Sequence, residues 1–198
     1  MAPPAAMNLY WFLVLLCGAV SAIHPKDIAD SDPTNYIFSE TLDSNILNPS
    51  IGNGYVSTFL FSSQIFIGGL FNGFLNIAPS HRAVIPSPLN YQLSLSPGTS
   101  DTLQTDGYLF NIPMGNFSAF YSVLDSNNNT LANIQQTWYA HRAYRSLIVH
   151  EITVNNVNRK SHINFSVHNG LSEFSSPDIM FSNISPEGVP YSLYNGSI

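Results

Sequence analysis

Apolar and polar residues alternate along several short stretches of this 198-residue chain. Tyr91, Leu93 and Leu95 alternate with polar neighbours, and Ile163 and Phe165 do the same further along. Alternation with period two is typical of a strand with one buried face, because successive side chains of a strand point to opposite sides. No long window shows the 3.6-residue apolar period of an amphipathic helix. The pattern therefore predicts strands throughout the chain.

Gly, Pro, Asn, Asp and Ser occupy the connections between the predicted strands, as turns require. The glycine groups at 52–54 and 68–69 fit tight turns better than a phosphate-binding loop, which needs a strand before it and a helix after it. Many strands joined by short turns predict an all-β fold, a large antiparallel β-sandwich. The predicted strands cover residues 55–61, 64–71, 91–96, 108–112, 117–124, 132–142, 146–155 and 161–168.

The first 22 residues are predicted to be a secretory signal peptide. They carry no charged side chain, and their apolar centre at residues 9–20 is shorter than the about 20 residues that span a bilayer. Small residues at Val20-Ser21-Ala22 predict cleavage after Ala22. Because no Lys or Arg precedes the apolar centre, an uncleaved membrane anchor is the alternative. The prediction places the mature protein in the secretory pathway, as an extracellular or lysosomal protein.

After the leader, the sequence predicts a polar lead-in at residues 23–35 and one β-sandwich domain at residues 36–198. The lead-in contains three aspartates and two prolines, and we expect it to be extended. Cys17, the only cysteine, lies inside the leader, so the mature domain has neither a disulfide nor a thiol nucleophile. The apolar pattern fades after Asn169, and we expect loops there. We also expect the domain to be incomplete.

Composition excludes several classes of function. Charged residues are only 9% of the chain and the formal net charge is −6, which argues against nucleic-acid binding, because that requires a basic stripe. A hydrophobic content of 44% excludes a disordered chain. No cofactor and no metal are predicted. His162 and His168 share a predicted strand face, but at ~3.3 Å per residue they are about 20 Å apart.

Two chemistries of glycoside recognition leave candidates in the sequence. Acid–base hydrolysis needs two carboxylates about 5–10 Å apart, and the spacing of the candidates singles out no pair. Aromatic rings could stack on sugars, although in a sandwich they more often form the core. The candidate carboxylates are Asp125, Glu151, Glu173 and Asp178, and the candidate aromatics are Tyr121, Trp138, Tyr139 and Tyr144.

Two His-Arg pairs are the most unusual polar features: His81 with Arg82, and His141 with Arg142. The guanidinium group offers a rigid fork of donors that suits carboxylates or sugar hydroxyls. The same side chains could equally tie strands to loops or dock a neighbouring domain. The four residues are therefore predicted to be domain-interface or sugar-contact residues, and no catalytic residue is predicted.

Five Asn-x-Ser/Thr sequences are candidate N-glycosylation sites. Asn128 falls in a predicted polar loop and Asn164 on the polar face of its predicted strand, so we expect both to be modified. Glycans would also improve the solubility of a sparsely charged surface. The five acceptors are Asn116, Asn128, Asn164, Asn183 and Asn195.

Four strings occur in an ordered set. They are Gly54-Tyr55-Val56-Ser57-Thr58, Ile67-Gly68-Gly69-Leu70-Phe71-Asn72-Gly73, His81-Arg82-Ala83-Val84-Ile85-Pro86-Ser87-Pro88-Leu89-Asn90 and Tyr139-Ala140-His141-Arg142. Together they resemble the N-terminal region of the acid-trehalase-like branch of glycoside hydrolase family 65. The resemblance covers about residues 36–169. Each string alone is weak, whereas the ordered set with its spacing is fairly specific.

Members of this family are inverting enzymes that cleave or phosphorolyse α-glucosides, with an N-terminal β-sandwich and catalytic carboxylates in a following (α/α)6 barrel. The resemblance implies a non-catalytic domain of a secretory-pathway glucosidase for the glucosylgalactosyl-hydroxylysine of collagen or for trehalose-like α-glucosides. It implies an α-glucoside and the barrel domain as partners, and no activity of this chain alone. A stand-alone, secreted carbohydrate-binding β-sandwich module is the alternative.

Overall fold

The computed structural model describes residues 10–17, 24–42, 49–72, 80–87, 89–97, 99–157, 162–169, 175–188 and 194–197. These parts of the chain form one helix and sixteen strands. The helix is α1 (Pro25–Ser31), and the strands are β1 (Tyr10–Cys17), β2 (Tyr36–Ser39), β3 (Ser50–Gly52), β4 (Val56–Phe59), β5 (Gln64–Ile67), β6 (Phe71–Asn72), β7 (His81–Arg82), β8 (Ile85–Pro86), β9 (Tyr91–Leu95), β10 (Thr102–Asn111), β11 (Asn116–Leu124), β12 (Thr130–Ala140), β13 (Leu147–Asn156), β14 (Phe165–Asn169), β15 (Met180–Asn183) and β16 (Tyr194–Ser197).

A six-stranded central sheet has the strand order β1-β13-β12-β11-β10-β2. Strands β10 to β13 follow one another as antiparallel neighbours. Strand β2 pairs antiparallel with β10, whereas β1 lies parallel to β13. In the register of the sheet, Trp138 lies between Phe117 on one side and His150 on the other. These three rings therefore point to the same face of the sheet.

Two separate layers cover the inner face of the central sheet. Strands β3, β4, β5 and β8 form a four-stranded antiparallel sheet, whose apolar side chains share a core cluster with Phe117, Trp138 and Ile148. Strands β9 and β14 pair with each other, and Leu93 and Val167 pack against a second cluster of the central sheet. The all-β antiparallel sandwich predicted from the alternation is confirmed.

The outer face of the central sheet carries both polar and apolar side chains, because Leu109 and Val149 share it with Ser118 and Tyr139. Strand β12 points the buried Ile134 inward and its neighbours outward. On the outer face, the hydroxyls of Ser118 and Thr137 are 2.9 Å apart, and the amide nitrogen of Gln135 donates to both. These three side chains therefore satisfy one another on the outer face.

The extended lead-in is a wrong prediction, because Pro25–Ser31 forms α1. The ring nitrogen of His24 accepts a hydrogen bond from the Lys26 N–H at 3.2 Å and caps the first turn. Pro25 occupies the first turn, where its missing N–H removes no helical bond, and Asp27 complements the helix dipole there. These local signals favour a helix within the lead-in.

Several strand boundaries also differ from the sequence prediction: the predicted strand 64–71 is two strands, β5 and β6, and the predicted strand 161–168 begins only at Phe165. Strand β10 begins at Thr102 rather than at 108, because a bulge between Thr105 and Gly107 interrupts the period-two pattern. Gly107 has φ +137°, and a Cβ there would lie 2.5 Å from the Phe38 ring, so glycine is required at the bulge. Beyond Asn169, where loops were expected, β15 and β16 form an antiparallel pair.

The predicted leader contributes β1. Its backbone runs along β13 from Tyr10 opposite Leu147 to Cys17 opposite Val154. An uncharged, apolar segment suits a parallel edge position as well as a leader, so removal of this segment stays a prediction. No helix in the described ranges is both long enough and apolar enough to cross a membrane.

Candidate functional site

A cleft of about 360 Å³ opens on the inner face of the central sheet, between the two covering layers. Tyr121 and Gln136 of the sheet form its floor, Phe61 one wall, and residues 90–93 the other wall. Tyr121 packs against both core clusters, so this inter-layer cleft lies where the clusters meet. This volume lies at the lower end of the range of about 300–1,000 Å³ that small-molecule sites span.

Gln136 interrupts an apolar series on the inner face of β12, between Ile134 and Trp138. The residue is 1% exposed, and its amide nitrogen lies 3.5 Å from the carbonyl oxygen of Tyr91. Within the described ranges, no residue donates a hydrogen bond to the side-chain oxygen of Gln136. This oxygen is not one of the fully buried polar atoms that lack a partner, and Gln136 lines the cleft, so the oxygen is accessible from the cleft.

A stack of three rings supports the wall of the cleft. The His150 ring lies 4.5 Å from the Trp138 ring at an interplanar angle of 5°, and 5.2 Å from the Tyr91 ring at 21°. Burial lowers the pKa of His150 to about 4, and neither ring nitrogen has a hydrogen-bond partner in the described structure. His150 is therefore a neutral aromatic spacer that fixes Tyr91.

Phe61 forms the opposite wall from a strained turn position. Its φ of +58° is uncommon for a bulky residue. Its ring meets Trp138 edge to face at 5.2 Å, and Tyr108 and Phe117 at 6.2 Å each. These aromatic contacts pack the turn against the core cluster of the central sheet.

All seven residues that line the inter-layer cleft are uncharged. Burial raises the pKa of Tyr121, and nearby Tyr108 raises it further. Burial also raises the pKa of Tyr91. Both phenols therefore stay protonated at physiological pH and can donate as well as accept hydrogen bonds. The site offers neutral donors and acceptors rather than a charge.

His81 lies in a hydrogen-bonded cluster around Asp178. Its Nε2 lies 2.8 Å from Oδ1 of Asp178, which also accepts from the amide of Asn72 at 3.2 Å. The other carboxylate oxygen accepts the Val84 N–H at 2.9 Å. Hydrogen bonds from Val84 and His81 lower the pKa of Asp178. The cluster connects β7 to the segment that precedes β15.

Arg82 is exposed next to this cluster, while the segment after it turns into the core. Ala83 and Ser87 are fully buried, and Ile85 pairs with Ile65 in the covering sheet. The carbonyl of Leu89 then accepts the Trp138 indole N–H at 3.3 Å. The segment that carries part of the family resemblance is thus mainly a covering strand, with the His81-Arg82 pair at its exposed start.

His141 and Arg142 lie in the loop after β12 and make structural contacts. The ring nitrogen Nδ1 of His141 accepts the N–H groups of Ala143 and Tyr144 at 3.1 and 3.0 Å. The guanidinium of Arg142 donates to the carbonyl of Pro113 in the β10–β11 turn. This is the strand-to-loop role that the sequence left open beside interface and sugar contact.

Asn53 attaches this loop to the covering sheet. Its amide nitrogen donates to the carbonyls of His141 and Arg145 at 2.8 and 3.0 Å. Its side-chain oxygen accepts the N–H groups of Tyr55 and Val56, each at 3.0 Å. Sequence reasoning assigned this residue only to a tight turn, because its partners are about ninety positions away.

The candidate carboxylates lie on separate elements. Hydrogen bonds from the side-chain amide of Asn129, and from the backbone N–H groups of Asn129 and Asn127, lower the pKa of Asp125 within its own turn. Glu151 lies on β13, where burial raises the pKa of Tyr139 and the charge of Glu151 raises it further. Glu173 lies outside the described residues. Among the described residues, no three His, Cys, Asp or Glu side chains could hold a metal ion.

The aromatic candidates divide between core and surface. Trp138 is a core residue at 1% exposure, and Tyr121 belongs to the cleft. Tyr139 is half-buried on the outer face of the central sheet. Tyr144 is 70% exposed and lies 4.9 Å from the His141 ring.

The candidate glycosylation sites differ in exposure. Asn128, Asn164, Asn183 and Asn195 are exposed. Asn116 is half-buried at the start of β11, opposite Tyr139.

The chain is similar to curated proteins named protein-glucosylgalactosylhydroxylysine glucosidase. The protein from Dictyostelium discoideum is 28% identical over 179 residues, which cover 85% of this chain and 22% of that protein. The Mus musculus protein is 27% identical over 128 residues, covering 65% of this chain and 17% of its own length. The Gallus gallus protein is 27% identical over 130 residues, covering 64% and 17%.

This chain thus spans about a fifth of the length of the curated relatives it matches. No protein-family model matches the chain, and no solved structure matches it significantly. The resemblance to glucosidases drawn from the sequence strings is confirmed by these relatives.

Proposed function

We propose that this chain is the non-catalytic N-terminal β-sandwich of a secretory-pathway, inverting α-glucosidase. The substrate is the glucosylgalactosyl-hydroxylysine of collagen or a trehalose-like α-glucoside. The observation that carries the proposal is the similarity to glucosylgalactosylhydroxylysine glucosidases along most of this chain, at about a fifth of their length. An all-β sandwich agrees with a domain that accompanies a separate catalytic domain.

Inverting hydrolysis needs one carboxylic acid to protonate the leaving oxygen and one carboxylate to activate water, about 6.5–9.5 Å apart. Asp125, Glu151 and Asp178 each have their own local interactions on separate elements. The proposal therefore assigns the acid and the base to an (α/α)6 barrel in the longer protein. This chain contributes scaffold and interface.

The face around β6 and β7 is the proposed contact with the barrel. Arg82 is exposed there, and its strand partner Phe71 is 51% exposed. Met180, two residues beyond Asp178, is 76% exposed. Apolar side chains beside a guanidinium are typical of protein interfaces, where Arg and Met are enriched. The hydrogen bond between His81 and Asp178 links β7 to the segment before β15 at this face.

The activity is tested with this chain and, where the reading frame continues past Ile198, with the longer protein that it encodes. Both are incubated with glucosylgalactosyl-hydroxylysine and with trehalose, and released glucose is measured. We expect hydrolysis by the longer protein, β-glucose as the first product in NMR spectra, and none by this chain, because each missing acid–base group contributes about 10²–10⁴-fold. Failure of the longer protein to release glucose from any α-glucoside would refute the proposal.

A stand-alone carbohydrate-binding module is the second candidate, favoured by the exposed ring of Tyr144 beside His141. Such a ring can stack on a sugar face. The two candidates differ in the downstream coding sequence. A long helical region with paired glutamates after this chain supports the glucosidase, whereas a stop codon supports the module.

A further inference from the structure

We propose that the inter-layer cleft is a binding site for a single neutral pyranose, such as a glucosyl or galactosyl unit. The choice of a sugar rests on the proposed function, whereas the site itself rests on the geometry of the cleft. It is separate from the exposed face around β6 and β7.

The cleft exists because the two covering layers leave a gap over the central sheet. The apolar series on β12 is broken at Gln136, the position where the two core clusters meet. A side chain selected for packing at this position would be apolar. The amide instead lines the cleft, where its oxygen is not fully buried and can accept a hydrogen bond from a ligand. A ligand hydroxyl would satisfy that oxygen.

The lining matches a neutral, hydroxyl-rich ligand. Asn90, Gln92 and Gln136 carry amides that donate and accept, as hydroxyl groups do. Tyr91 and Tyr121 add phenols and aromatic surface for the apolar face of a sugar ring. An anion or a cation would enter without a counter-charge, and a fully apolar ligand would cover the oxygen of Gln136 without donating a hydrogen bond to it.

The walls are held before a ligand arrives. Tyr91 stacks on His150, which stacks on Trp138, and the Trp138 indole is bonded to the carbonyl of Leu89 just before the wall. Phe61 is fixed by the same indole ring from the other side. A rigid site loses little conformational entropy on binding. A weak but specific monosaccharide site is therefore expected.

The test uses this chain and two probes, methyl α-D-glucopyranoside and the disaccharide glucosyl-galactose, in saturation-transfer NMR and titration calorimetry. The cleft variants are Tyr121→Phe, which removes one hydroxyl, and Gln92→Ala, which removes an exposed amide. The matched controls are Tyr139→Phe on the outer face and Gln104→Ala on β10. We expect each cleft variant to bind about tenfold more weakly and both controls to bind as the parent does.

Two outcomes would overturn the site. One is the absence of saturation transfer to either probe in a folded chain, and the other is binding that the cleft variants leave unchanged. Glucuronate serves as a charged probe, and binding equal to that of the glucoside would contradict a neutral site. Glucosidase activity of the longer protein is measured separately, so the proposed function can fail while the sugar site survives, or the reverse.

Discussion

At the scale of single residues, two polar side chains on apolar strand faces shape the cleft. Gln136 and His150 both occupy inner-face positions of central strands where apolar residues surround them. One lines the cleft and the other supports its wall. Asn53 joins two segments, because its side-chain amide makes four hydrogen bonds, two to the loop after β12 and two to the residues that begin β4.

Replacement of Asn53 should destabilise the domain much more than replacement of Arg82. Asn53→Ala removes four hydrogen bonds and leaves backbone groups unpaired, which should lower the free energy of unfolding by about 2 kcal/mol. Arg82→Ala changes an exposed side chain and should cost under about 1 kcal/mol. Urea unfolding of both variants measures the difference. If Arg82→Ala prevents folding, Arg82 is a structural residue and the interface role is wrong.

His150 should make the domain sensitive to acid. Its pKa is about 4 in the folded protein and 6.5 unperturbed, so between these values the unfolded chain binds a proton that the folded chain does not. The free energy of unfolding has its full value above about pH 6.5 and should fall by about 3 kcal/mol as the pH drops to about 4. Asp178, whose pKa is lowered, adds a loss only at lower pH.

His150→Phe keeps a ring between Trp138 and Tyr91 and removes the proton. The variant should lose the dependence between pH 6.5 and 4 in urea unfolding measurements, whereas His162→Gln, an exposed control, should keep it. An unchanged slope in His150→Phe would show that other groups cause the acid sensitivity.

At the scale of elements, local turns decide which candidate glycosylation sites face the solvent. Asp125 accepts two N–H groups of its own loop, and Asn128 at φ +62° projects from that turn. Asn164 lies just before β14, where its carbonyl accepts the Ser96 N–H while its side chain is exposed. Asn116, by contrast, is half-buried in the β11–β12 ladder.

We expect glycans on Asn128 and Asn164 and the least modification on Asn116, because the transferred glycan needs an accessible amide. Expression through a secretory pathway followed by amide-cleaving glycosidase should lower the apparent mass. Asn128→Gln and Asn164→Gln should each remove one mass step, whereas Asn116→Gln should not. A chain whose mass is unchanged by the glycosidase would contradict the prediction.

At the scale of the whole molecule, the sandwich is closed by contacts between segments that are distant in sequence. His81 contacts Asp178 across 97 positions, and Asn53 contacts the loop after β12 across 88. The leader segment forms β1, which lies along one edge of the central sheet. Its removal would expose the hydrogen-bonding groups of β13 at that edge.

Cleavage after Ala22 should give a secreted chain that begins at Ile23, because the segment before it is apolar, uncharged and ends in small residues. N-terminal sequencing of secreted material measures this directly. A membrane-bound product that retains Met1 would show that the leader is an anchor. Replacement of Ala22 by Gln should impair cleavage and serves as the control.

The sequence by itself determined the fold class and most central strands, because the period-two pattern that predicts a strand is local and survives in β11, β12 and β13. It also carried the likeness to glucosidases through short ordered strings. The helix α1 could have been predicted from the sequence, because its capping residue His24 and its first residue Pro25 are adjacent.

Only the tertiary structure decided the cleft, the partner of His81 and the core position of Trp138. Each depends on which face of one layer meets another layer, and side-chain contacts across about ninety positions leave no periodic trace in the sequence. A polar residue on an apolar strand face, such as Gln136, marks an exception to packing, but its chemistry becomes defined only when the facing wall is in place.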